Sequence, residues 1–149
     1  MTDYLEYRID KFTFRTATDR HYTDEGMWVK PENNIVRIGI SDFLQQRSGD
    51  VAFVEVKPVG EQVTMGEELV VIETIKVNIS LTSPLSGKII EINPMMEETP
   101  EIINQDPYGS GWLVMVEPTD IQTMLEHLLD AQAYFAKVRE DSEREVKKE

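Results

Sequence analysis

Apolar and polar positions alternate with the short period of strands over most of this 149-residue chain, and the period becomes helical only past residue 119. The clearest unit lies in the middle. Leu69-Val70-Val71-Ile72 is an apolar run, Asn78-Ile79-Ser80-Leu81-Thr82 alternates, and Glu73-Thr74-Ile75-Lys76-Val77 stands between them. Two strand-like runs about a charged tip predict a hairpin that holds the Lys76 amine in solvent. Ile75 and Val77 are β-branched and resist positive φ, so the tip is expected to be a type I turn rather than a primed one.

Further strands are expected at residues 27–30 and 35–40, joined by the turn-rich Pro31-Glu32-Asn33-Asn34, then at 51–56 as a buried strand, and at 68–75, 78–82, 88–92 and 112–116. Ser41-Asp42 caps a short helix through Gln46, which Gly49 ends. Thr99-Pro100-Glu101 reads as another helix start, a capping residue followed by proline at the first helical position. From Thr119 onward Ile121, Met124, Leu125, Leu128, Leu129 and Gln132 fall on one stripe, which predicts a single helix packed on the body. The whole chain reads as one domain. Residues 1–20 form an extension in which Phe12 and Phe14 make a short strand or clamp. In residues 137–149, ten of thirteen positions are charged, five of each sign, and this tail is read as a solvated helix with internal ion pairs or a frayed end.

Composition narrows the function. Apolar residues are 40% of the chain, enough for a genuine core, and no apolar run approaches a membrane span. The N-terminus has no basic and apolar pair of segments to act as a secretory signal. The absence of cysteine fits a reducing, cytoplasmic compartment. Formal net charge is 15 − 28 = −13, which opposes nucleic-acid binding and favours partners with basic docking faces.

Conventional catalytic sets are missing. His21 and His127 stand far apart, the chain has no thiol for a metal or a nucleophile, and no phosphate-binding glycine motif occurs. Asp24-Glu25 and Glu97-Glu98 are adjacent carboxylates of the kind that form a solvated face. No catalytic or metal-binding residue is therefore assigned. The chemistry is expected to come from a group attached at Lys76.

Three segments, Gly60-Glu61-Gln62-Val63-Thr64-Met65-Gly66-Glu67, Glu73-Thr74-Ile75-Lys76 and Ser83-Pro84-Leu85-Ser86-Gly87-Lys88-Ile89, resemble lipoyl and biotinyl carrier domains. Gly39-Ile40-Ser41-Asp42-Phe43, Gly49-Asp50-Val51-Ala52-Phe53-Val54-Glu55 and the long stretch from Thr99 to Leu113 narrow this to a resemblance to the glycine cleavage H-protein family, from about Tyr22 to Phe135. The resemblance implies a mainly β barrel-sandwich hybrid with flanking short helices and a C-terminal helix. It implies a non-catalytic carrier with lipoate covalently attached at Lys76, and a lipoate-attaching ligase or transferase that reads Glu73. A biotin carrier would place methionine on both sides of the lysine, whereas Ile75 and Val77 flank it here. An unmodified scaffold barrel is the remaining alternative.

Two positions depart from that family. Its members usually carry His-Glu before the tryptophan that is Trp28 here, where this chain has Gly26-Met27, and an acid four positions after the lysine, where this chain has Ser80. In the family those acids help to hold the cationic amine of an aminomethyl-loaded arm. A lost charge-assisted hydrogen bond costs about 1.5–3 kcal/mol, unless Asp24 or Glu25 takes over. The departures, with Glu73-Thr74-Ile75-Lys76 and the long N-terminal segment, look similar to H-like lipoate-binding proteins of bacterial sulfur oxidation. That resemblance implies a sulfur cargo and heterodisulfide-reductase-like partners. The alternative is an aminomethyl carrier working with the glycine cleavage P, T and L proteins.

Overall fold

The computed structural model describes residues 2–147. Two sheets enclose the core. The larger contains β3 (His21–Tyr22), β4 (Met27–Glu32), β5 (Ile35–Ile40), β11 (Val114–Pro118), β10 (Gly87–Ile92) and β7 (Gln62–Val63), in that spatial order. The smaller contains β6 (Val51–Val56), β8 (Glu68–Thr74) and β9 (Asn78–Thr82). Neighbouring strands within each sheet are antiparallel. Val29, Ile38 and Val116 from the first sheet meet Val54, Ile72 and Leu81 from the second in one apolar cluster. This is the barrel-sandwich arrangement expected from the sequence.

The N-terminal segment forms a separate hairpin, β1 (Tyr4–Ile9) and β2 (Phe12–Ala17), turned at Asp10-Lys11 with Asp10 at φ 52°. It lies against α1 (Asp42–Ser48) and α5 (Ala131–Lys147). Arg15 N donates to Asp42 Oδ2 at 2.9 Å, and Gln46 Nε2 donates to Thr13 O at 2.9 Å. A second apolar cluster joins Phe14, Tyr22, Trp28, Phe43, Tyr134 and Val138 beneath it. Ser41 connects the parts. Its hydroxyl accepts from Leu44 N as the α1 cap and lies 2.6 Å from the buried Tyr134 hydroxyl of α5.

Several expectations change in three dimensions. Pro31 and Glu32 belong to β4, because a two-residue turn at Asn33-Asn34 suffices when Asn33 takes φ 59°. The strand at 51–56 is not buried on both faces: it is an edge strand, and Phe53 is 52% exposed. Thr99 does not cap the helix after it. It ends α2 (Met95–Glu98), and α3 (Ile102–Gln105) starts from Glu101. Trp112 precedes β11 rather than starting it.

The apolar stripe past residue 119 is two helices, α4 (Ile121–Glu126) and α5. The break is a long-range event. Tyr22 N donates to Leu129 O at 2.9 Å and Leu129 N donates to Tyr22 O at 2.8 Å, so residue 129 is held as a strand-like bridge to β3. The charged tail continues α5 through Lys147. It pairs within itself, as in Lys137–Asp141, and also with the body through Arg47–Glu145 at 2.6 Å and Tyr7 OH to Glu143 at 2.7 Å. Residues 148–149 lie outside the described residues.

Trp28 fixes the junction between barrel and hairpin. It is fully buried, its indole N–H donates to Pro107 O at 2.9 Å, and the Arg20 guanidinium sits 4.6 Å from its ring centroid. Gly39 opposite it leaves no room for a side chain, since a Cβ there would lie 2.5 Å from Trp28 Cε2. Gly39→Ala is expected to destabilise the protein by about 1–3 kcal/mol, the usual range for overpacking, measured by guanidinium unfolding; an unchanged midpoint would show that Trp28 has room to move.

Candidate functional site

The β8–β9 hairpin turns through Ile75-Lys76-Val77, with Thr74 N donating to Val77 O at 2.9 Å. None of the three residues has positive φ, in agreement with a tip that avoids a primed turn. Thr74 organises the turn. Its hydroxyl oxygen accepts from Val77 N at 2.9 Å and Lys76 N at 3.2 Å, while its single proton faces Ser48 O and Val77 O, each 2.7 Å away.

The tip rests on the C-terminal end of α1. Ile75 N donates to Asp50 O at 3.0 Å, and the Lys76 ammonium donates to Arg47 O at 3.2 Å. Unpaired carbonyls at a helix C-terminus favour a cation, so this end suits the unmodified lysine. Gly49 ends the helix with φ 93°, and a Cβ on it would stand 3.5 Å from Lys76 Cβ. The turn of α1 away from the tip thus requires glycine for its backbone conformation.

Lys76 is exposed, and so are Ile75 at 78% and Val77 at 45%. Glu73 is exposed at the last pair of β8 and β9, opposite Asn78. An amine and a carboxylate are therefore presented together at one end of the smaller sheet. On one side, Lys76 and Val77 border an open groove of about 590 Å³ that extends to the N-terminal hairpin and to α5.

The other residues singled out in the sequence lie elsewhere. Met27 is fully buried in the barrel core. Ser80 is exposed on β9, where its hydroxyl bonds to the Glu68 carboxylate. Glu25 accepts from Thr82 N at 3.2 Å and from Thr82 Oγ1 at 2.8 Å. Ser80 and Thr82 are two apart on a strand and share a face, so two carboxylates line the exposed face of β9. Sequence reasoning named Glu25 as a substitute acid but missed Glu68. Its signal was the Glu68↔Thr82 register of a hairpin whose turn was already placed. His127 bonds through Nδ1 to Thr123 O at 2.8 Å, within its own turn. Gly66 has φ 92° in its turn, whereas Gly87 serves close approach within β10, where a Cβ would lie 2.2 Å from Glu117 O.

Among the described residues no helix is long and apolar enough to cross a membrane. The sequence matches the family model of the glycine cleavage H-protein over residues 20–141. A glycine cleavage system H protein from Bacteroides thetaiotaomicron is 44% identical over 117 residues, covering 78% of this chain and 92% of the relative. One from Thermus thermophilus is 43% identical over 116 residues, covering 78% and 90%. The crystal structure of a glycine cleavage system H protein from Mycobacterium marinum superposes with a TM-score of 0.71 at 35% identity, covering 80% of this chain and 96% of that one.

Thr74→Val keeps the shape of the side chain and removes every hydrogen bond its hydroxyl makes. It is expected to cost about 1–2 kcal/mol in urea unfolding and to speed amide exchange at Lys76 and Val77. Unchanged exchange would show that the backbone alone holds the turn.

Proposed function

This chain belongs to the glycine cleavage H-protein family of non-catalytic carriers, and we propose that Lys76 is its lipoylation site and that the arm carries the aminomethyl intermediate of glycine cleavage. The observation that carries this reading is the exposed Lys76 amine at the apex of a hairpin braced on α1. The residues present fit the group. The amine is open to solvent, and its one hydrogen bond, to Arg47 O, is a contact that an amide N–H can keep after the charge is lost. When bound, a lipoyl group supplies a dithiolane that reacts with the partner enzymes. The chain itself supplies a fixed point of attachment and open space around it. Glu73, three residues before Lys76 and exposed, is the carboxylate the lipoate-attaching enzyme reads.

The family match and the relatives support the aminomethyl cargo and the P, T and L partners, and they lend no support to a sulfur cargo. The physical objection also weakens. Met27 faces the core, but Glu25 stands beside Thr82 and Glu68 beside Ser80. These two carboxylates supply negative charge along β9, on the order of 13 Å of chain from Lys76 for Glu68 at Ser80 and about 20 Å for Glu25 at Thr82, at 3.3 Å per residue. A cationic amine on a long arm can pair with either.

Intact mass of protein co-expressed with a lipoate-attaching enzyme is expected to show one lipoyl adduct, absent in Lys76→Arg and formed more slowly in Glu73→Gln. A full adduct on Lys76→Arg would place the modification elsewhere. Reconstitution with glycine decarboxylase and aminomethyltransferase should then turn over glycine. Glu25→Gln is expected to speed spontaneous loss of the aminomethyl group on the order of tenfold, the loss of one charge-assisted bond. Failure of the lipoylated protein to support turnover would end the aminomethyl reading.

A further inference from the structure

The N-terminal hairpin lies outside residues 20–141, the part of the chain that matches the family, and it ends in an open edge. Its two strands pair in an unbroken register from Tyr4↔Ala17 to Ile9↔Phe12. On β2 four outward groups are taken. Arg15 N donates to Asp42 Oδ2 at 2.9 Å, while Thr13 O accepts from Gln46 Nε2 at 2.9 Å, Arg15 O from Tyr108 OH at 2.8 Å and Ala17 O from Tyr22 OH at 2.6 Å. Antiparallel pairs alternate between hydrogen-bonded and non-hydrogen-bonded positions. Residues 13, 15 and 17 are therefore non-bonded, and their opposites Arg8, Glu6 and Tyr4 turn their own N–H and C=O groups outward from β1. The bond from Thr18 N to Asp3 O at 2.9 Å fixes the same alternation. Among the described residues no hydrogen bond reaches the outward groups of Glu6 and Arg8.

An unpaired edge invites another strand, and proteins usually blunt it. The smaller sheet shows how: β6 carries a bulge between Val51 and Phe53, and Glu25 covers Thr82 N on β9. β1 has neither bulge nor proline. Its outward side chains include Glu6 and Arg8, both exposed and of opposite sign. We propose that β1 is the seam of a homodimer, in which the β1 of a second copy pairs with it antiparallel about a two-fold axis at Tyr7. Glu6 then lies opposite the copy's Arg8, and Arg8 opposite its Glu6. Leu5 meets the copy's Ile9 on the other face, the one that Tyr7 turns toward α5. Opposite charges across a strand pair are favourable and like charges are not. A register centred on Glu6 sets two glutamates against each other, and an edge of one sign repels its own copy in any register. The two signs one residue apart thus select both the register and the occupant.

The surroundings leave room for the copy. Side chains of α1 take the outward edge of β2, so β1 is on the far side of the hairpin from α1 and from Lys76, which bonds to Arg47 O. Glu6 is 3.4 Å from Arg15, an exposed pair that holds weakly. Arg8 makes no salt bridge among the described residues. Beneath β1, Phe135 meets the Tyr7 ring edge-on at 6.4 Å, the Arg139 guanidinium lies 5.4 Å from its centroid and Glu143 accepts from its hydroxyl at 2.7 Å. Ala136 and Glu140 follow around α5 on the side away from the buried Tyr134 and Val138, and with Arg139 and Glu143 they border an open groove of about 210 Å³. That is the side on which the copy's α5 arrives, with both signs of charge on each helix.

The test is sedimentation velocity of the full chain over a concentration series. At about 0.15 M salt, screening confines the repulsion between two copies of net charge −13 to about 8 Å. Wild type is expected to pass from monomer to dimer as concentration rises. Glu6→Arg and Arg8→Glu each set like charges opposite one another, and each is expected to weaken the dimer by about tenfold or more. An equimolar mixture of the two variants pairs opposite signs at both positions and should recover a heterodimer. The double variant that exchanges both charges should recover a homodimer, which a register centred on Glu6 does not allow. Both side chains are exposed in a peripheral hairpin, and a circular dichroism melt checks that each variant keeps its fold. Amide exchange needs no variant: the Glu6 and Arg8 N–H groups, open in the monomer, should exchange more slowly as concentration rises. The seam is overturned by a wild type that stays monomeric to about 1 mM, by a dimer that both single variants leave intact, by single variants that do not recover on mixing, or by Glu6 and Arg8 exchange indifferent to concentration.

Discussion

The hydrogen bonds between the hairpin tip and the end of α1 are the contact on which the site depends. A three-residue loop at the end of two strands is ordinarily the most mobile part of a sheet. Here the carbonyls of Arg47 and Asp50 accept from Lys76 and Ile75, and the Thr74 hydroxyl lies within reach of Ser48 O. The helix end that would otherwise leave its carbonyls to water is completed by the loop, and the loop is given a rigid base by the helix. An amine placed this way has a fixed origin, and only the side chain and whatever is joined to it sweeps through space.

That origin stands between two unlike surfaces. Along β9, Glu25 and Glu68 make an acidic face. Toward the hairpin, Phe12, Phe14 and Val146 line a groove whose other walls carry Arg47, Ser142 and Glu145. A group attached at Lys76 would border both surfaces, and differential affinity would suffice to shift it between them.

Much of this was legible locally. The alternation of Asn78 to Thr82, the β-branched neighbours of Lys76 and the Ser41 and Gly49 caps each report a backbone preference that the tertiary structure keeps. What was not legible came from distance. The apolar spacing from Ile121 to Gln132 runs on through the break; the Tyr22–Leu129 bridge interrupts it, and Asp130, whose carboxylate accepts from Ala133 N, restarts the helix. Residues 51–56 look like a buried strand because their composition is apolar, but their place at a sheet edge exposes Phe53. The departures at Met27 and Ser80 rest on local resemblance alone. The carboxylates of Glu25 and Glu68 beside β9 depend on strand register and on a loop 57 residues from its partner. The groove joins residues 12, 76 and 146, a proximity that no periodicity encodes.

The bridge at Leu129 also sets the mechanics of the last helix. Two backbone hydrogen bonds to Tyr22, together with the stacked rings of Tyr22 and Tyr134 at 4.4 Å, pin one end of α5 so that it cannot slide along the barrel. The other end is tied by exposed pairs, which hold weakly. Such a rod is held again farther along, where Val138 and Ser142 are buried, so only its last turn, beside Arg47, is left to the exposed pairs.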